Sequence, residues 1–206
     1  NVIVNNPEIS ADFSNYGVNE EQLNKGFELT DKLLKDYNKC EEMKALKSSN
    51  YAFLMSTYEK IKKDYYEKIE LSKLALKDYP ILAVKLFLYS KKQTKLIKVM
   101  EKAKLFSELI LNDEELLSIL NKKNITKEKI QKLYDLTKNN YKFLITYTIS
   151  KNSYHASVYT RDLSEKQTVS YISDFVKIAY IIYKNKKDMI KKLGLKPKKI
   201  TGVSNE

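Results

Sequence analysis

The chain has 206 residues, 43% apolar and 31% charged, a balance that supports one or two buried cores in a soluble fold. Its formal net charge is +12, yet all but one of its 38 basic residues are lysine, the exception being Arg161. Without arginine's planar fork, that charge is weak evidence for a protein that reads phosphates or bases. The single cysteine, Cys40, excludes a disulfide scaffold, and no run approaches the roughly 18 apolar residues of a membrane span.

Only 4 Gly and 3 Pro punctuate the chain, and abundant Lys, Glu, Leu and Ile favour helix, so the expected class is all-α. The opening NVIVNNPEIS has no basic, apolar leader, which gives the expectation of a cytoplasmic protein. Asn6-Pro7-Glu8 supplies a cap, a proline at the first helical position and an acid facing the helix dipole, predicting a short helix from Pro7 to Ser14. Gly17 is placed to close it in a left-handed conformation, and Asn19 with Gln22 fits a capping box opening a long helix. Leu23, Phe27, Thr30, Leu34 and Tyr37 then recur at helical spacing. Ser48-Ser49-Asn50 is the expected turn into a second helix striped by Leu54, Tyr58, Ile61, Tyr65, Ile69 and Leu76. Pro80 starts a short helix that ends in Leu86-Phe87-Leu88, and a further helix runs from Gln93 to Leu111.

The chain then starts again. KLFLYSKKQT, Lys85 to Thr94, returns as KLGLKPKKIT, Lys192 to Thr201, 107 residues later, with six of the ten positions identical. At the same offset Lys25, Leu29, Thr30 and Lys35 fall on Lys132, Leu136, Thr137 and Lys142. We therefore expect a tandem duplication: residues 1–94 as one helical repeat unit with its leading helix truncated, and 95–206 as a second with a basic C-terminal tail.

In the second repeat Asp113-Glu114-Glu115 opens the short helix, Asn124 replaces Gly17, and Thr126 caps the long helix, which is striped by Ile130, Tyr134, Thr137, Tyr141 and Leu144. The stretch Tyr141 to Thr160 is rich in β-branched and aromatic residues and would suit a β-hairpin, but its counterpart in the first repeat is a plain helix former, so helix is expected. That helix is expected to end near Asn152 to Ser157, with a turn before Asp162. A last long helix striped by Val169, Ile172, Val176, Ala179, Tyr180 and Tyr183 would make this hairpin the more buried of the two. The expected fold is a bundle-like tandem pair of long antiparallel helix hairpins with short flanking helices.

The pieces Asp113 to Leu120, Asn124-Ile125-Thr126-Lys127-Glu128 and Leu193-Gly194-Leu195 resemble a broad set of bacterial all-helical proteins with no known activity, the first repeat departing at Phe87. The resemblance implies a fold and no chemistry.

No glycine-rich phosphate loop or serine or cysteine nucleophile with a histidine base is present. Cys40 and His155, each alone of its kind, are accompanied by no Asp/Glu/His cluster at metal-ligand spacing, and Glu114-Glu115 and Glu20-Glu21 are explained by helix N-termini. An enzyme and a bound cofactor are therefore not expected. The remaining candidates are the lysine blocks at equivalent places in the two repeats: Lys91, Lys92, Lys95 and Lys98, with Lys102 and Lys104 beyond, and Lys191, Lys192, Lys198 and Lys199. They fit a partner- or phosphate-binding edge. The expected function is a non-enzymatic scaffold or protein-interaction protein, possible self-association included, and the alternative is a nucleic-acid-binding protein using those lysines.

Overall fold

A computed structural model describes residues 2–197, and among them every regular element is an α-helix. They are α1 (Val2–Asn5), α2 (Pro7–Ser14), α3 (Glu20–Ala75), α4 (Pro80–Lys85), α5 (Leu96–Leu111), α6 (Glu114–Asn121), α7 (Lys127–Ile182) and α8 (Lys187–Lys192). The all-α expectation holds, Tyr141 to Thr160 included, which lies wholly inside α7. Helices α2 and α6, α3 and α7, and α4 and α8 begin and end 107 residues apart.

The caps follow the sequence chemistry. The N–H of Ile9 donates to Asn6 Oδ1 at 3.3 Å, and that of Leu116 to Asp113 Oδ1 at 3.0 Å. At the start of α3 the capping box is reciprocal: Gln22 N–H donates to Asn19 Oδ1 at 2.9 Å and Asn19 N–H to Gln22 Oε1 at 3.2 Å. All four helices α2, α4, α6 and α8 finish in one way. The left-handed residues are Gly17, Phe87, Asn124 and Gly194, with φ of 84°, 54°, 61° and 74°. The N–H after each (Val18, Leu88, Ile125, Leu195) reaches back to the carbonyl of Phe13, Ala83, Leu120 or Ile190, the six-to-one bond of a Schellman motif. The recurring Leu-x-Leu is thus a helix stop: its middle residue takes the left-handed turn and its last leucine packs on the helix it has just ended.

Phe87 is the costly member of that set, because a side chain in the left-handed region loses about 1 kcal/mol that glycine does not. Replacing Phe87→Gly should raise stability by about 0.5–1 kcal/mol. Gly194→Ala, where a Cβ would meet nothing within 4 Å, should lower it by about 1 kcal/mol through the backbone alone. Denaturant midpoints of the two variants test this, and a Phe87→Gly chain less stable than its parent would contradict it.

The expected hairpins are not formed. Ser48-Ser49-Asn50 lies inside α3 and Asn152 to Ser157 inside α7, each a helix of 56 residues. The physical reason lies in the polar residues taken for turns. In α7, Phe143, Tyr147, Ser150, Tyr154, Ser157, Arg161, Ser164, Thr168, Tyr171 and Phe175 alternate at spacings of three and four, and none is exposed. This is a coiled-coil seam whose middle is polar. Threonine hydroxyls beside it, Thr146, Thr148 and Thr160, donate to carbonyls one turn back, so their side chains are satisfied within the helix rather than in a turn.

The chain divides into two compact units. Unit 1 joins the residues up to Glu42 with those from His155 onward, and unit 2 is Met43–Tyr154. In unit 1 the first part of α3 and the last part of α7 run antiparallel. Tyr171 donates to the Gln22 carbonyl at 2.8 Å, Thr168 to that of Leu29 at 3.3 Å, and Ser164 to the Asp36 carboxylate at 2.5 Å. Ile9, Phe13, Val18, Ala179, Tyr183, Met189 and Ile190 form its core, and the Tyr183 hydroxyl donates to Asp12 Oδ2 at 2.8 Å. Burial, followed by that bond, raises the Tyr183 phenol.

In unit 2 the antiparallel partners are Tyr51 with Tyr147 and Phe53 with Phe143, ring centroids 5.3 and 4.5 Å apart. The stripe Leu54, Tyr58, Ile61, Tyr65, Ile69 and Leu76 is buried as expected. Helix α5 adds Val99, Met100, Ala103, Phe106 and Ile110 to this core, with Phe106 edge-on to Tyr65 at 5.6 Å and Asn140 Nδ2 3.5 Å from Met100 Sδ.

Two further expectations are corrected. Phe27, Thr30, Leu34 and Tyr37 are exposed, because α3 turns the adjacent seam of Leu33, Asp36, Cys40 and Met43 inward. Val169 and Ile172 are also exposed, so the later part of the second repeat is not the more buried.

Candidate functional site

The segment from Phe87 to Lys95 joins α4 to α5, and one side chain of α3 fixes its conformation. The Tyr66 hydroxyl donates to the Gln93 carbonyl at 2.7 Å and accepts from the Gln93 N–H at 3.1 Å. Beside it, Tyr58 donates to the Thr94 carbonyl at 3.4 Å. The pinned segment holds the Lys92 ammonium 4.5 Å from the centre of the Tyr66 ring and places Ser90 to accept from Lys102 Nζ at 2.7 Å. Lys73, paired with Glu70 at 2.8 Å, and Lys91 complete the basic rim of a groove of about 120 Å³ floored by Tyr65, Ile69 and Leu88. That volume is below the roughly 300 Å³ of a typical small-ligand pocket.

Two of the expected lysines, Lys91 and Lys92, therefore meet Lys73 and Lys102 around one groove. Lys95 instead occupies the N-cap position of α5, with no side-chain cap bond, and Lys98 pairs with Glu101 on the surface at 3.3 Å. Lys191 and Lys192 sit exposed in the last turn of α8, where cations suit the helix dipole. Lys198 and Lys199 lie outside the described residues. Tyr66 and Lys73 have no motif to mark them: both precede the basic block in sequence and reach it only through the packing of α3 on the α4–α5 connection.

Chemistry at the groove is limited by its groups. Burial pushes the Tyr65 phenol up to about 12, so at neutral pH it is neither a base nor a nucleophile. Asp113, held low by the Lys85 ammonium at 2.7 Å and by the Leu116 N–H, is occupied as a helix cap. In unit 1 the Arg161 guanidinium donates to Asp162 and lies 3.8 Å from the buried Cys40 Sγ and 5.4 Å from the Tyr37 ring centre, filling the polar part of the seam. His155 is exposed mid-helix rather than at a helix end. Among the described residues no group of three or more His, Cys, Asp or Glu could hold a metal ion, and no helix is long and apolar enough to cross a membrane.

A second surface is apolar. Ile81 and Val84, one turn apart on α4, are 83% and 66% exposed, and Leu74, Tyr79, Phe87 and Tyr89 nearby in sequence are also exposed. At the positions 107 residues on from Ile81, Val84 and Tyr89 stand Asp188, Lys191 and Lys196. Compared with protein-family models, curated proteins and solved structures, the chain matches none.

Proposed function

We propose that the chain is a non-enzymatic, protein-binding helical scaffold built by duplication, and that the α4 face takes the partner surface, a second copy of the chain included. The observation that carries this is the exposure of Ile81 and Val84 where the other repeat carries an acid and a lysine. Solvent-facing positions of a six-residue helix need no branched apolar residue for folding, as α8 demonstrates, and clustered exposed apolar side chains mark interaction surfaces. Phe87 adds to it, since a half-exposed aromatic is kept at a strained backbone position where glycine would be cheaper.

The test is the Ile81→Asp/Val84→Lys double variant, which installs the residue types of the second repeat. Its unfolding free energy should stay within about 0.5 kcal/mol of the parent, since neither side chain is buried. Apolar-dye binding and concentration-dependent growth in solution mass, both expected for the parent, should be lost. Identical dye binding and mass for parent and variant would contradict the proposal.

The lysine groove supports nucleic-acid binding as the second reading, since Lys73, Lys91, Lys92 and Lys102 converge there. Four phosphate contacts would give a log–log salt slope of about −3.6 on duplex DNA. Binding that survives physiological salt and is lost in Lys91→Ala/Lys92→Ala would favour it over the scaffold.

A further inference from the structure

Equivalent positions in the two units have different cover. In unit 2, α5 lies on a surface made by α3 and α7: Phe106 meets Tyr65, Met100 meets Asn140, and Thr137 is buried one turn from Asn140. The residues 107 positions away, all in unit 1, are Ile172, Leu33 and Thr30, with Leu34 answering to Tyr141. Tyr65 is 5% exposed but Ile172 is 46% exposed; Leu34 is 61% exposed, and Phe27 and Thr30 are exposed beside it. The two rows lie on one side of the helix pair, because the Tyr37 hydroxyl bridges from α3 to Glu165 on α7 at 3.2 Å. At the place corresponding to α5, the described chain has only α1, which answers to the last turn of α5.

We infer that the exposed strip formed by Phe27, Thr30, Leu34 and Ile172 docks one amphipathic α-helix of a partner protein, seated as α5 is seated in unit 2 and running toward α1. The occupant's chemistry is read from α5: apolar or small residues at the spacing of Val99, Met100, Ala103, Phe106, Ser107 and Ile110, all buried, with Lys98, Glu101 and Leu105 outward. A small residue in the middle, as Ala103 and Ser107 provide, lets the helix approach the pair closely. The inference uses the duplication but not the α4 face, which belongs to the other unit.

The probe is a fluorescently labelled peptide of residues 95–112 added to the full chain. Binding should slow amide exchange in 27–34 and 169–176 by about tenfold or more. It should weaken at least about tenfold in Leu34→Glu/Ile172→Glu, whose changes fall on exposed side chains, and be unchanged in Ile81→Asp/Val84→Lys, which separates this inference from the scaffold proposal. Peptide that binds without exchange protection in those segments, or with affinity indifferent to Leu34→Glu/Ile172→Glu, would overturn it. Where the free peptide is too weakly helical to bind, residues 95–108 fused in register ahead of Val2 raise the effective concentration. That fusion should then raise the melting temperature in the parent but not in Leu34→Glu/Ile172→Glu, and an equal effect in both, or none, overturns the inference.

Discussion

Phe106→Ala should destabilise the chain by about 3–5 kcal/mol, among the largest effects available to a single substitution. The ring is almost fully buried, stands edge-on to Tyr65, and belongs to a helix that packs an apolar face on the unit 2 core without being part of the long pair. Truncation removes the apolar transfer energy of the ring and leaves a cavity between α5 and α3, which the long helix cannot collapse to fill. Loss of the edge-to-face contact adds about 0.5–1.5 kcal/mol within that total. The measurement is the denaturant midpoint together with exchange across 96–111, which should become fast first. A cost below about 1 kcal/mol would mean that α5 contributes little to holding unit 2 together.

The second large effect belongs to Ser49→Pro. Ser49 is exposed, so its side chain has nothing to lose, and in a turn between two helices proline would be accepted. Inside a continuous helix its ring removes one backbone hydrogen bond and meets the carbonyl of Ala45, at a cost of about 3 kcal/mol or more. Ala156→Pro, near the middle of α7, should behave likewise. Circular dichroism and denaturant melts of the two variants distinguish the cases, and a Ser49→Pro chain as stable as its parent would place a break at that position.

The sequence made the ends of helices legible and left their pairing hidden. Asn6, Asn19 with Gln22, and Asp113 act through bonds spanning three residues, and Gly17 and Asn124 through a single φ, so local chemistry was enough to place them. The seam between α3 and α7 gave no such signal. Asp36, Cys40, Ser157, Arg161 and Ser164 are polar or small, so the apolar periodicity of this region picks out their neighbours Leu34 and Tyr37, which are exposed, Tyr37 reaching α7 at the edge through Glu165. The serine- and asparagine-rich stretches 48–50 and 152–157 suit turns by local chemistry, and nothing local says that a hydroxyl such as that of Ser164 is satisfied by Asp36, 128 residues away. Polar seam residues of this kind cost stability but restrict which registers two long helices can adopt. The lysine groove was half legible: the Lys91-Lys92 run is visible in sequence, while Tyr66, which pins it, is identified only by its bonds to Gln93.

The central structural claim is that α3 pairs with α7 across the chain rather than folding back on itself, and the Asp36–Ser164 contact tests it most directly. With Cys40 replaced by serine, an Asp36→Cys/Ser164→Cys variant treated with a short bifunctional thiol reagent should close rapidly into an intramolecular loop, visible as a monomer of altered mobility and as one cross-linked peptide pair in mass spectrometry. Failure to form that link in a chain that retains its helical circular dichroism would contradict the pairing.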